Sequence, residues 1–260
     1  MKTAMIFAAG LGTRLRPLTD KTPKALVEIG GKTLLQIAIE RLQDAGFQRI
    51  VINAHHFAEQ IFEFVQNHYF DVEIIISHEK DLLLDTGSGI FFAKEKIGTK
   101  KPFLLHNVDI ISNADLQKLY DFHNPETLAT LLVSSRNTSR YLLFNEENIL
   151  VGWTNVKTGE IKTPFKKLDL EKCKMLSFNG IHVISPKIFE LMQNFEQPFS
   201  IIDFYLSVCR KEKILACQQP DLEVIDVGTV EKLENAKNWG CLKSPFSRKN
   251  TKFHAKNADY

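Results

Sequence analysis

Between Ala8 and Lys24 the chain gathers glycine, hydroxyl and cationic side chains at close spacing: Gly10, Gly12, Thr13, Arg14, Arg16 and Lys24. Glycine lets a backbone turn tightly and come close to a ligand, and backbone N–H groups beside cations suit a polyanion. Arginine offers a planar fork of donors matched to phosphate, whereas lysine offers a compact point charge. The stretch therefore reads as a phosphate cradle at the end of the apolar run 4–9. Two familiar cradles do not fit it. A Walker loop needs four residues between its glycines and Lys-Ser or Lys-Thr after them, but only Leu11 separates Gly10 from Gly12. The dinucleotide fingerprint needs a third glycine, and the chain has Thr-Arg-Leu-Arg there.

Other candidates are scattered along the chain. Asp109 follows the apolar run 102–108, and helix capping does not claim it, because Ser112 and Asp115 form a capping pair for the helix expected after them. A carboxylate at the C-terminal end of a sheet strand can hold Mg²⁺ beside phosphate. Asp226 begins Asp-Val-Gly-Thr, a pattern common in turns. Thr86, Gly87 and Gly89 precede a helix predicted over 90–96, where a helix start could take an anion or simply be rich in glycine. Asn179-Gly180 interrupts a strand predicted over 175–184, which marks either the close approach of a ligand or a β-bulge. His55 and His56 are read as a loop or helix cap, His182 as a packed residue, Lys166 and Lys167 as a solvated charge run, and Asp203 as a surface position.

These residues need elements to position them. Apolar runs predict strands over 4–9, 49–54, 72–77, 102–108 and 127–134, a hairpin over 140–144 and 149–153, and strands over 213–217 and 223–227. Leu34, Leu35, Ala38, Ile39 and Leu42 recur at helical spacing within 32–46, and further helices are expected over 56–68, 185–192, 200–210 and 230–239. Strands alternating with helices predict an α/β, doubly wound, mostly parallel, Rossmann-like sheet, with ligands at the C-terminal strand ends.

Bulk composition narrows the classes. At 260 residues, with 33 Lys and Arg against 31 Asp and Glu, the chain suits one large α/β domain, and its charge gives no support to a nucleic-acid or membrane partner. The four cysteines, Cys173, Cys209, Cys217 and Cys241, lack the spacing of a zinc site or disulfide framework. No run has a signal-peptide layout or the length of a membrane span, so a cytoplasmic protein is expected.

The run Gly10-Leu-Gly-Thr-Arg-Leu-Arg-Pro-Leu-Thr19, followed by Pro23-Lys24 and Gly30-Gly31-Lys32, resembles the signature of the sugar-1-phosphate nucleotidyltransferases. The resemblance implies a GT-A-like nucleotidyltransferase fold with a small β-rich sugar-binding lobe. One domain would cover 1–240, with a nucleotide half at about 1–125 and a sugar-phosphate half at about 126–228, and 241–260 would be a flexible tail. It implies a nucleoside triphosphate and a sugar 1-phosphate as substrates and Mg²⁺ as cofactor, with Asp109 and Asp226 as the metal aspartates. Val108 stands where the family has a small residue, and Val230 where it usually has proline. Ala8, Ala9, Gly10, Gly12 and Thr13 would contact the nucleotide, Arg14 the pyrophosphate end, and Lys24 both the α-phosphate and the sugar phosphate. Glu79, Thr86 and Gly87 would hold the base, and Asn179 and Gly180 the sugar phosphate. The form of 84–89, Leu-Asp-Thr-Gly-Ser-Gly, is similar to that of N-acetylmuramate- and mannose-type enzymes. Cytidylyl transfer to a phosphorylated alcohol such as phosphocholine, a catalytically silent nucleotide sensor and a dinucleotide-dependent oxidoreductase are the competing readings.

Overall fold

The computed structural model describes residues 1–80 and 83–237; the tail expected over 241–260 lies outside them. In chain order the strands are β1 (Thr3–Phe7), β2 (Glu28–Ile29), β3 (Lys32–Thr33), β4 (Arg49–Ala54), β5 (Glu73–His78), β6 (Phe103–Asn107), β7 (Ile110–Ser112), β8 (Ala129–Ser134), β9 (Arg140–Phe144), β10 (Leu150–Asn155), β11 (Glu160–Lys162), β12 (Lys174–Ile184), β13 (Ile214–Cys217) and β14 (Val224–Asp226). The helices are α1 (Leu34–Asp44), α2 (Ala58–Asn67), α3 (Thr86–Phe92), α4 (Lys94–Ile97), α5 (Leu116–Phe122), α6 (Ile188–Met192), α7 (Ile201–Val208) and α8 (Val230–Lys237). Among the described residues no helix is long and apolar enough to cross a membrane.

One sheet organises the chain. β1 pairs in parallel with β4 on one side and β6 on the other, and β4 pairs in parallel with β5. The chain thus leaves β1 in one direction and returns on its other side, which makes the C-terminal end of β1 the switch point where ligands bind in such sheets. The central strands β1, β4 and β6 carry the unbroken apolar runs 4–6, 50–52 and 103–105 because both faces are covered there. Ala4 and Ile6 of β1 pack into one core with Leu35, Ala38 and Leu42 of α1, while Met5 packs into the other with Ile90 of α3 and Phe204 of α7. The β-rich half extends the same sheet. β12 runs antiparallel to β6, to β8 and to β9, and β9, β10 and β11 complete that edge.

Two local expectations are corrected. The third helix begins at Thr86, before the predicted Ile90, because Asp85 accepts the Thr86 N–H at 2.6 Å and caps it there. Its glycines lie inside the helix, where the 198–201 segment packs closely: a Cβ on Gly87 would stand 2.3 Å from Phe199 Cε2. Ser112 is not a cap but the last residue of β7, paired with Val224. Asp115 caps α5 instead, accepting the Lys118 N–H at 2.8 Å.

Candidate active site

A cavity of about 440 Å³ opens at the switch point. Ala8, Ala9 and Gly10 reach it from the end of β1, Asn53 from β4, and Asn107, Val108 and Asp109 from β6. The strand ends are laced together there, since the Ala8 N–H donates to the Asn53 carbonyl at 3.0 Å and the Val108 N–H to the Phe7 carbonyl at 3.2 Å. Leu83, Leu84, Asp85, Thr86 and Pro198 close the opposite wall.

The long loop after β1 carries its cation into this cavity. Lys24 lies in a single turn of 3-10 helix, only 8 % exposed, and its ammonium forms an ion pair with Asp109 Oδ2. Gly12 holds the loop shut. Its φ of 64° is left-handed, and a Cβ there would stand 2.9 Å from Thr19 Cγ2 and 3.1 Å from Lys24 Cβ. The Thr19 hydroxyl donates to the Gly12 carbonyl at 2.8 Å, and Leu15 is buried beneath the loop. Thr13 and Arg14 stay exposed above it.

The backbone segments that carry two distant aspartates meet at the same end of the sheet. β14 pairs antiparallel with β7, which sets Asp226 opposite Ile110, the neighbour of Asp109. The Val227 N–H donates to the Asp109 carbonyl at 2.8 Å. Asp226 Oδ2 lies 3.6 Å from Lys232 Nζ, while Oδ1 is buried without a hydrogen-bond partner. Gly228 is bare because this corner is full: a Cβ on it would lie 2.8 Å from Asp226 Oδ1 and 3.1 Å from Arg14 Nη2. The loop's arginine and the last strand's aspartate therefore share one spot.

The donor set fits a hard divalent cation. Mg²⁺ prefers oxygen ligands, takes one or two carboxylates and fills its shell with water and phosphate. Asp109 and Asp226 offer such a pair, and Asp226 Oδ1 is an orphaned buried acceptor beside it. Among the described residues no group of three or more His, Cys, Asp and Glu side chains forms a metal cluster.

Several predicted residues lie elsewhere. Glu79 is 2 % exposed behind the cavity, accepting the Leu84 N–H at 2.8 Å and the Asn53 Nδ2 group. Burial pushes its pKa up, and those two bonds partly offset the rise. Glu79 thus fixes the loop after β5 and turns Asn53, whose Oδ1 is buried and unpartnered in the cavity wall. Gly87 packs against Phe199, while its neighbour Thr86 faces the cavity. Asn179 is fully buried and accepts the Ser134 hydroxyl at 3.1 Å. Gly180, with φ 68°, sits where the β12–β8 register shifts, so the bulge is present; it is also a close approach, since its Cβ would stand 2.7 Å from Asn107 Nδ2. The neighbour there is another strand's side chain rather than open cavity. Lys166 and Lys167 are exposed. Ser200 caps α7 by accepting the Asp203 N–H at 3.1 Å, and the Asp203 carboxylate pairs with Lys162 at the rim of a second cavity.

His55, His56 and His182 stay out of the site. His55 Nδ1 lies 2.6 Å from the Glu79 carbonyl, and His56 is exposed against Phe57. His182 is buried against the Tyr205 hydroxyl at 3.0 Å, and burial pushes its pKa down to about 3. Asn53 and Asn107 escaped the sequence reading, although a polar residue closing a buried apolar strand was a legible signal for both.

Comparison with known proteins places the chain in a family. The model of the family described as nucleotidyl transferase matches residues 3–239. The chain belongs to that family. Relatives of this nucleotidyltransferase include the N-acetylmuramate alpha-1-phosphate uridylyltransferase of Caulobacter vibrioides, 30% identical over 211 residues, covering 78% of this chain and 83% of that protein. The catalytic subunit beta of mannose-1-phosphate guanylyltransferase from Drosophila melanogaster is 34% identical over 154 residues, 56% of this chain and 42% of that protein. This chain thus aligns with well under half of the guanylyltransferase subunit's length. Among solved structures, UDP-glucose pyrophosphorylase complexed with UDP-glucose superposes with a TM-score of 0.75 at 18% identity, covering 94% of this chain and 100% of that one. That likeness establishes the fold.

Proposed function

We propose that this nucleotidyltransferase joins a nucleoside triphosphate to a sugar 1-phosphate, releasing pyrophosphate. A phosphate oxygen of the sugar phosphate attacks the α-phosphorus, and the bond from that phosphorus to the oxygen bridging to the β-phosphate breaks. The attacking oxygen is already an anion, so the reaction needs no protein nucleophile or strong base. Its barrier lies in bringing two polyanions together, which positioned cations lower. Lys24 supplies a buried point charge at the cavity floor, Arg14 a fork of donors at its mouth, and the backbone of Ala8, Ala9 and Gly10 a surface for base and ribose. Mg²⁺ held by Asp109 and Asp226 would neutralise phosphate charge and fix its oxygens.

The observation that carries this reading is the Lys24–Asp109 ion pair at the cavity floor with Asp226 set alongside by the β7–β14 pairing. The 30% identical uridylyltransferase and the partly aligned guanylyltransferase favour UTP with N-acetylmuramate 1-phosphate or GTP with mannose 1-phosphate. Pyrophosphate release from a panel of triphosphates crossed with sugar 1-phosphates, and with phosphocholine as a control acceptor, tests it. Asp109→Asn should lower Mg²⁺-dependent release by at least about a hundredfold, the scale of one lost electrostatic group. Undiminished release by that variant would overturn the assignment.

A further inference from the structure

The second cavity, about 530 Å³, lies between the β9–β10–β11 edge and α7. Its sheet wall is a row of paired side chains: Arg140 lies opposite Asn155, and Leu142 opposite Trp153. Lys162 sits over the Trp153 ring at 5.4 Å and has its charge answered by Asp203 at 3.4 Å and Glu160 at 4.0 Å. Two further cations line the cavity without such an answer. Neither Arg136 nor Arg140 has a carboxylate within ion-pair distance among the described residues. Arg136 is half-buried and held in place, its Nε donating at 2.8 Å to the hydroxyl of Ser177, itself 1 % exposed. That bond spends the inner N–H and leaves the terminal amino groups to line the cavity.

The cavity neighbours the proposed active site. Ser177 and Phe178 line it from β12, and Gly180, against Asn107 of the first cavity, follows on the same strand. Three residues of strand span roughly 10 Å. Asp85 and Pro198 border the first cavity and Ser200 and Asp203 the second, and all four line one groove between them. A sugar whose phosphate lies by Lys24 would thus extend toward Trp153, an aromatic face suited to a pyranose ring, and Arg136.

We infer that the acceptor is an acidic sugar: a sugar 1-phosphate bearing a second anion, a carboxylate, bound by Arg136 and Arg140. This rests on the sugar-phosphate reading above and deepens it. A neutral sugar would leave two guanidinium groups facing its hydroxyls, whereas a carboxylate takes the charge-assisted, bidentate pairing that arginine favours.

The test is calorimetric binding of N-acetylmuramate 1-phosphate and N-acetylglucosamine 1-phosphate to the full chain with Mg²⁺. These sugars differ in one lactyl ether group, which carries the carboxylate. The acidic sugar should bind at least about tenfold more tightly, the scale of a hydrogen bond to a charged group. Arg136→Gln and Arg140→Gln should each drive the ratio of the two affinities toward one. Arg140 is exposed, so its variant keeps the test readable should the Arg136 variant fold poorly. Equal affinities, no binding of the acidic sugar, or an unchanged ratio in the Arg140 variant overturns the inference. Pyrophosphate release read in parallel separates the two failures: its absence with every triphosphate sinks the transferase reading, while the binding ratio alone judges the carboxylate.

Discussion

Gly228→Ala tests whether the loop after β1 and the last strand act as one site. The glycine has no left-handed φ, so alanine is allowed by its backbone and the effect of the substitution is steric. Its Cβ would stand 2.8 Å from Asp226 Oδ1 and 3.1 Å from Arg14 Nη2, and ordinary contact begins at 3.4 Å. One or both groups must retreat by about half an ångström. Both contacts are the far ends of side chains, so the fold yields easily and the melting temperature should move by no more than about 2 °C. Catalysis is less forgiving, since a misplacement of about 1 Å costs about a hundredfold. Half that displacement gives about tenfold in kcat/KM, near 1.4 kcal/mol of transition-state stabilisation. Steady-state pyrophosphate release, with thermal unfolding in parallel, measures both. In an Arg14→Ala background the same glycine change should cost less, because one of the crowded groups is gone. Unchanged kcat/KM in a folded Gly228→Ala protein would refute the claim that Arg14 and Asp226 act together in turnover.

Lys24→Ala should lower kcat by about a hundredfold or more in the same assay, because it removes the buried cation at the cavity floor and leaves Asp109 without its partner. Gly87→Ala should destabilise the fold by about 2–3 kcal/mol in urea unfolding, since its Cβ would meet the Phe199 ring at 2.3 Å and the Phe199 carbonyl oxygen at 2.9 Å; an unshifted midpoint would contradict the packing. Stability should also fall with acid. Burial pushes His106 down to about 4 and His182 to about 3 from an ordinary 6.5, so below pH 6.5 the unfolded chain binds more protons than the folded one. Each imidazole then removes about 1.4 kcal/mol per pH unit until pH approaches its folded value. Buried Glu79, with its pKa raised, contributes the opposite slope, so the comparison is between proteins: the loss between pH 6 and pH 5 should be smaller in His182→Gln by about 1 kcal/mol. Parallel slopes in chemical denaturation would remove His182 from the account.

Much of the first half of the chain could be read from pattern alone. Runs such as Ile50-Val51-Ile52 and Leu104-Leu105 are apolar without alternation because both sheet faces are covered, and that signal survives without coordinates. The loop from Gly10 to Lys24 stood out through glycine, hydroxyl and cationic residues at close spacing. Where pattern misled, a distant contact had decided. Gly87 is bare because Phe199 packs against it, and Ser112 gives up capping because β14 arrives to pair with it. Nothing local to residues 85–115 carries that information.

By itself the sequence determined the parallel sheet, the glycine-rich cationic loop and the separate aspartates, since each rests on local spacing and side-chain chemistry. The tertiary structure decided which of them meet. Antiparallel pairing of β14 with β7 sets Asp226 beside Asp109, and the bare Cα of Gly228 admits Arg14 to the same corner. Burial sent Glu79 behind the cavity and left Asn53 in its wall. It also took strands far apart in the chain to put Arg136 and Arg140 in one cavity with Trp153. Such meetings depend on register and packing across the whole sheet, which no window of sequence contains.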